Sequence, residues 1–242
     1  MFVLQITTMP VQVAPIINPT NILTHPEVLS HLRGQYVYLE PAREQDRASM
    51  RTLARDERIW EFTKTLMIDD GYDEQFDGYF DEALGLETSA SGQAFVIRAH
   101  GPGLPADERE DHHGMVGMGT GAIIGMTRLY AIDWKDRRLE IGHTWYIPGV
   151  WGKVHNKECK LLLLQYIFEH LVFHRVEFRV AHQNLRSQKA VAKIGGVREG
   201  ELRKFTKRND GSWRNTVIFS ILDDEWPAKK EVLARWVSQL RS

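Results

Sequence analysis

The sequence predicts an α+β fold, a mixed sheet with helices packed on it. Two observations carry this. Short stretches alternate with period two, as in "RVEFRVA", where Val176, Phe178 and Val180 fall on one face and Arg175, Glu177 and Arg179 on the other. Other stretches have helical spacing, as in "DEQFDGYFDEAL", where Phe76, Phe80 and Leu84 stand four apart. The order is one strand, two helices, further strands, then helices interleaved with the last strands.

The elements follow in turn. "YVYLEP" alternates and stops at Pro41, as a strand does. "AREQDRASMRTLARDERIWEF" has helical spacing, with Met50, Leu53, Ile59 and Trp60 as its apolar landmarks, and "DEQFDGYFDEAL" is the second helix. "AFVIRA" is a short apolar strand. "HGPGLPADEREDHHGMVGMGTG" is rich in Gly and charge and has no period, so it reads as a flexible insertion over 101–119. "AIIGMTRLYAID" and "RLEIGHTWYI" are strands joined by "WKDR". In the helix of "WGKVHNKECKLLLLQYIFEH", Leu161, Leu164, Phe168 and Leu171 form an apolar stripe, while Glu158, Gln165 and Glu169 share a polar face. "NLRSQKAVAKIGG" is a helix with Asn184 at its N-cap and a Gly pair at its end. "VREGELRKFTKRNDGSWRNTVIFSIL" gives two strands around an Asn-Asp-Gly turn, and "DEWPAKKEVLARWVSQLRS" closes the chain as an amphipathic helix. Residues 1–34 read as an N-terminal arm and 35–242 as a single domain.

Composition narrows the function classes. The 242 residues are 43% hydrophobic and 26% charged, enough apolar content to bury a core without staples. The formal net charge of -1 gives no general pull toward nucleic acid or an anionic membrane. No uninterrupted apolar span is long enough to cross a bilayer. The N-terminus has Pro at 10, 15 and 19 and no Lys or Arg before Arg33, unlike a signal peptide. The one cysteine, Cys159, fits a reducing compartment, and the cytoplasm is the expected location. Its expected role is that of a small buried hydrophobe. "DHH" at 111–113 has no partners at ligand spacing, so no metal site is expected.

The stretch from Trp151 to Glu158 carries the chemistry. A helix begins there with N–H groups that have no partners inside the helix, and its dipole is positive at that end. Gly152 permits close approach, and Lys153 and Lys157 add charge, a composition suited to a diphosphate.

"EIGHTWY", "WGKVHNKECKLLLLQYIFE", "RVEFRVAHQNLRSQKAVAKIGGVREGELRKF" and "DGSWRNTVIFSILDDEWP" together resemble the GNAT acetyltransferases, in the branch that acetylates N-terminal amines of ribosomal proteins and related amines. The resemblance covers residues 139–227 and extends back to Tyr36. It implies a mostly antiparallel sheet with helices on both faces, splayed between the fourth and fifth strands, with acetyl-CoA as cosubstrate in the splay. It places the pyrophosphate on the loop Trp151, Gly152, Lys153, Val154, His155, Asn156 and Lys157. The family pattern there is Gln/Arg-x-x-Gly-x-Gly/Ala. Trp151 stands in the Gln/Arg place, Val154 in the first Gly place and Asn156 in the Gly/Ala place, with Gly152 as an extra glycine. A positive φ at Val154 would cost about 1 kcal/mol or more.

The resemblance also implies roles. Asn184 contacts the pantetheine arm or the reacting centre, and Ser187 protonates the departing thiolate. A backbone N–H of the fourth strand near Tyr146 or Ile147 polarises the carbonyl. Glu140 is the expected base, directly or through a water, and its alternative is a structural carboxylate paired to an Arg on a neighbouring strand. His143 is a second candidate base. It points away from Glu140's face in a regular strand and toward it if a bulge intervenes. Arg186, Lys189 and Lys193 are candidates for the CoA 3′-phosphate or a solvated helix face.

On the acceptor side, residues 69–87 hold eight acidic residues and no basic one. An acidic rim would favour a cationic amine. The alternative is a solvated face. Trp60, Phe62, Tyr72 and Phe80 either line that cleft or pack the core. The expected activity is N-acetyl transfer to a primary amine of a protein N-terminus or a small molecule, by direct attack in a ternary complex. The alternatives are an inactive CoA-binding sensor and a structural adaptor. A homodimer is left open, and neither nucleic acid nor membrane is an expected partner.

Overall fold

The computed structural model describes residues 31–64, 67, 71–100 and 121–239. Most of the N-terminal arm and the insertion over 101–119, with its His112 and His113, lie outside them.

The elements are β1 (Val37–Pro41), α1 (Arg47–Leu53), α2 (Tyr72–Thr88), β2 (Gln93–Ala99), β3 (Ile123–Asp133), β4 (Arg138–Tyr146), α3 (His155–Gln165), β5 (Arg175–Ala181), α4 (Leu185–Lys193), β6 (Val197–Lys207), β7 (Trp213–Leu222) and α5 (Trp226–Gln239). They build a seven-stranded sheet in the order β1-β2-β3-β4-β5-β7-β6. Every pairing is antiparallel except β4 with β5.

Helices cover both faces, and β3 shows it. Met126 meets the Tyr79 hydroxyl and Arg128 the Tyr79 carbonyl, both on α2. Thr127, between them, meets Lys160 of α3. Successive strand residues point to opposite faces, so α2 and α3 lie on opposite sides of the sheet.

The parallel pairing of β4 and β5 spans only Arg138–Arg175, Leu139–Val176 and Glu140–Glu177. Beyond Glu140, β4 continues with β3 alone and β5 with β7 alone. The sheet is therefore split at its middle, as the resemblance implies. A bulge widens the split. Met126 faces Trp145 and Arg128 faces Gly142, so His143 and Thr144 together oppose Thr127. His143 takes φ 49° there, a left-handed conformation that an extra residue in a strand can impose.

Three local expectations change. The first helix does not run through to Phe62. α1 ends at Leu53, and the Asp56 side chain accepts the Arg58 N–H to start a separate 3-10 turn. Trp60 then folds back, its indole donating to the Ala54 carbonyl at 2.6 Å. The buried positions of α3 are His155, Glu158, Cys159, Lys160, Leu163 and Leu164, with Leu161 only partly covered. A π-turn over Tyr166–His170 then adds a residue, so Tyr166, Ile167 and Phe168 are buried in succession. Glu158 is not on a solvated face: it is buried. α3 is covered by the sheet on one side and α5 on another, so more than one stripe of it is enclosed.

Glu158 fastens α3 to the sheet. Its carboxylate accepts the N–H groups of Gln35, Tyr36 and Val37 at 2.8, 2.6 and 2.7 Å. Gly34 makes room, since a Cβ there would sit 2.5 Å from Glu158 Cδ. Leu32 is fully buried just before it, so the end of the arm belongs to the core.

Candidate functional site

A cleft of about 430 Å³ opens where β4 and β5 part, and it runs between α3 and α4 at one end and the segment after α1 at the other. Of the residues singled out in the sequence, Glu140, Tyr146, Trp151, Gly152, Asn156, Asn184 and Ser187 line it. Ile147, Lys153, Val154, His155 and Lys157 do not contribute to its wall.

At the α3 end the loop solves its own conformational problem. The left-handed residue is Gly152, at φ 77° with open space where a Cβ would be. Val154 is an ordinary helical residue, φ -66° and ψ -29°, so the strain its place in the pattern suggested does not arise. Lys153 N–H is taken by Val150 O at 3.3 Å and Glu158 N–H by Val154 O at 3.0 Å. The N–H groups of His155, Asn156 and Lys157 between them have no acceptor among the described residues. These are donors an anion needs. The His155 ring is buried and burial holds it neutral.

Trp151 replaces the expected Gln/Arg and recruits a cation. The Arg186 guanidinium lies 3.9 Å from its ring centroid and that of Arg58 at 5.5 Å. Its indole N–H donates to the Tyr146 carbonyl at 2.8 Å, bracing the end of β4.

That end of β4 offers one free donor. Ile147 N–H bonds Ile124 O at 2.9 Å, so it is not available to a ligand. In an antiparallel ladder the next residue turns its N–H and C=O the other way. Tyr146, paired with Gly125, therefore aims its N–H toward the split. Of the two expected carbonyl-polarising groups, the geometry retains Tyr146 and removes Ile147.

Glu140 has the arginine partner of its structural reading and also lines the cleft. It is 2% exposed, accepts the Tyr130 hydroxyl, and has Arg179 Nε of β5 at 3.2 Å from Oε2. Burial raises its pKa above the usual glutamate value, against the lowering pull of Tyr130 and Arg179. A carboxylate whose pKa is raised is a stronger proton acceptor than an ordinary glutamate. The bulge does bring His143 to the cleft. Burial, with Arg128, Lys64 and Arg214 nearby, drops it to about 3, which makes it a weak base.

Asn184 caps α4 by accepting Ser187 N–H at 2.9 Å. The capping role is therefore real, and both side chains still line the cleft. Arg186 reaches the cleft from α4, whereas Lys189 and Lys193 stay on its outer side.

Among the described residues, the acidic run does not form a rim. Asp77 pairs with Arg47 and Arg51, Asp81 with Arg47, Asp73 with Arg55 and Glu87 with Arg43. These arginines come from α1 and the turns beside it, so α2 spends its charge on its neighbour helix. Among the described acidic residues of that run only Glu82 lines the cleft, and it pairs with Arg128 at 3.6 Å. Trp60 and Phe62 line the cleft, while Tyr72 and Phe80 are in the core.

Sequence reasoning missed Lys160, Arg179 and Arg214. Lys160 is 5% exposed, lines the cleft, and donates to Thr144 Oγ1 at 2.8 Å. Burial lowers its pKa to about 8. Its signal was available: it follows Cys159 and precedes Leu163 and Leu164 by helical spacing, a lysine on the buried side. Arg179 and Arg214 sit on alternating strands where charge ordinarily means solvent; Arg179 is exposed and Arg214 half-buried, and both border the cleft at the split. Among the described residues no group of three or more His, Cys, Asp or Glu could hold a metal ion, and no helix is long and apolar enough to cross a membrane.

Comparison with known proteins adds a family. The acetyltransferase (GNAT) domain matches residues 37–197. "Putative ribosomal N-acetyltransferase YdaF" of Bacillus subtilis is 32% identical over 111 residues, which is 46% of this chain and 59% of that protein. The chain therefore matches less than two thirds of that relative's length. "Probable N-acetyltransferase YjcK" of the same organism is 28% identical over 201 residues, 80% of this chain and 99% of that protein. Among solved structures, a putative acetyltransferase from T. thermophilus superimposes with TM-score 0.69 at 28% identity, covering 85% of this chain and 95% of its own.

Proposed function

This chain belongs to the GNAT acetyltransferase family, whose cosubstrate is acetyl-CoA, and we propose that it transfers the acetyl group to a primary amine by direct attack within a ternary complex. The observation that carries this is one cleft whose wall holds Asn156 at the open start of α3, Tyr146 with its free edge N–H and the buried carboxylate of Glu140. A sensor without turnover was suggested only by the irregular loop, and Gly152 removes that ground. The single cysteine, buried in α3 with its thiol pKa raised by burial, offers no nucleophile for an acetyl-enzyme and fits a cytoplasmic setting.

The residues present fit acetyl-CoA. The N–H groups of His155, Asn156 and Lys157 would hold the pyrophosphate, with Gly152 leaving the approach open and Arg186 adding charge at the mouth. When bound, acetyl-CoA supplies an activated thioester. Glu140 removes a proton from the acceptor nitrogen as the N–C bond forms. Tyr146 N–H faces the carbonyl oxygen and stabilises the charge that grows there. Ser187 Oγ would give a proton to the sulfur as the C–S bond breaks and regain one from solvent.

Calorimetry with acetyl-CoA, followed by a panel of amines and N-terminal peptides with free thiol as the readout, tests this. Saturable binding with thiol release above the no-acceptor blank is the expected result, and Ser187→Ala should lower turnover about tenfold. Absence of acetyl-CoA binding would overturn the reading.

A further inference from the structure

We propose that the acceptor end of this cleft selects an amine that also bears an anionic group, a carboxylate or phosphate close to the reacting nitrogen, and that Arg214 and Lys64 bind that group. The inference rests on the transferase reading for the site and names the chemistry of its acceptor.

The charge census of the cleft wall comes first. Its cations are Lys64, Lys160, Arg179, Arg186 and Arg214, and its anions are Glu82 and Glu140. Both anions are engaged, Glu82 by Arg128 and Glu140 by Tyr130 and Arg179. The acidic run on α2 gives no further compensation, because Asp73, Asp77, Asp81 and Glu87 turn to α1 and its flanking turns. Three of the five cations have tasks elsewhere: Arg186 stacks on Trp151 at the α3 end, Lys160 donates to Thr144, and Arg179 meets Glu140. Lys64 and Arg214 are left, with no carboxylate partner among the described residues.

Arg214 is held in place by neutral groups, and the Glu140 carboxylate acts on it without an ion-pair contact. Its guanidinium donates to the Phe62 carbonyl at 3.2 Å and lies 3.5 Å from Thr216 Oγ1. Both partners are neutral, and its Nε is buried with no partner at all. The bond to Phe62 ties β7 to the short segment that carries Lys64, which brings the two cations to the same end of the cleft. Burial is the main cause of the low pKa of His143, and Arg128, Lys64 and Arg214 add to it in that order, which puts both cations within electrostatic reach of one ring. A planar guanidinium with free donors in a partly dry cleft is a binder of carboxylate or phosphate.

The same field serves the chemistry. Positive charge near an ammonium favours loss of its proton, so the acceptor nitrogen becomes nucleophilic more readily here. An anionic group elsewhere on the acceptor supplies the attraction that the amine's own charge cannot. A polyamine brings only repulsion to this end.

The test uses paired acceptors: L-alanyl-L-aspartate beside L-alanyl-L-asparagine amide, and phosphoethanolamine beside ethanolamine, with spermidine as the cationic member. Binding of each to the CoA-saturated protein is measured by calorimetry, and turnover with acetyl-CoA by thiol release. The anionic member of a pair should bind at least about tenfold more tightly than its uncharged counterpart. Arg214→Gln should bring that ratio to within about twofold of unity, and Lys64→Gln, at an exposed position, should lower it partway. An acetyl-CoA titration of each variant verifies that it is folded. Anionic preference in binding without thiol release upholds this inference and overturns the transfer reading alone. Equal or tighter binding of the uncharged or cationic members, no binding by any anionic member, or a ratio unchanged in a folded Arg214→Gln overturns it.

Discussion

Glu158 and Glu140 are both buried glutamates, 4% and 2% exposed, and they stand at opposite extremes of compensation. Glu158 accepts three backbone N–H groups from the chain entering β1. The carboxylate and those backbone donors satisfy each other. Glu140 has one hydroxyl and one guanidinium, and its pKa is still raised by burial. The first arrangement holds an element in place. The second keeps a carboxylate ready to accept a proton, at some cost in stability. What separates them is position: Glu158 faces a continuous part of the sheet, Glu140 the edge of its split.

The largest expected effect breaks the first member of the pair. Glu158→Ala leaves three N–H groups without an acceptor and should destabilise the fold by about 3 kcal/mol or more, read by urea unfolding. A loss under about 1 kcal/mol would mean that water replaces the carboxylate.

The second effect falls on activity. Glu140→Gln should lower kcat/KM about a hundredfold without lowering the melting temperature. The sign follows from the pKa. A group whose folded pKa is raised favours the folded state when protonated, and that contribution is lost as pH rises from 4.5 through the folded value. The stability of wild type relative to Glu140→Gln should therefore fall across that window. The acid limb of wild-type kcat/KM should lie above the ordinary glutamate range. A variant as active as wild type would return Glu140 to a purely structural role.

Lys160 sharpens the contrast, because it lies two residues from Glu158 on the same helix and has only hydroxyl partners. Its folded pKa of about 8 lies below the usual lysine value of 10.5. Between these values the unfolded chain holds more protons, so stability should rise with pH there. Lys160→Met should remove that rise, by an amount on the order of 1–2 kcal/mol. Parallel pH–stability curves for the two proteins would show that the ammonium is hydrated in the cleft.

Much of the fold was readable along the chain. "RVEFRVA" has one face to bury and became β5, and Asn184 capped α4 as its residue type and position foretold. These are local matters of period and hydrogen-bond chemistry. The reading failed where the answer depended on a neighbour. The first helix stops because Asp56 can cap a new turn and Trp60 can return to Ala54, while the apolar spacing runs on past the break. The acidic run looked like a rim because its arginine partners lie some twenty to forty positions earlier.

The sequence by itself determined the order of the elements, the apolar faces and the polar start of α3, because these depend on periodicity and on which N–H groups lack a partner. Tertiary structure decided which charges matter. It parted β4 from β5 after Glu140 and turned Arg179 and Arg214 toward a shared cleft. It also placed the loop's left-handed turn on Gly152 and left Val154 helical. Burial and electrostatic fields are properties of what surrounds a side chain, and those surroundings exist only once distant segments have met.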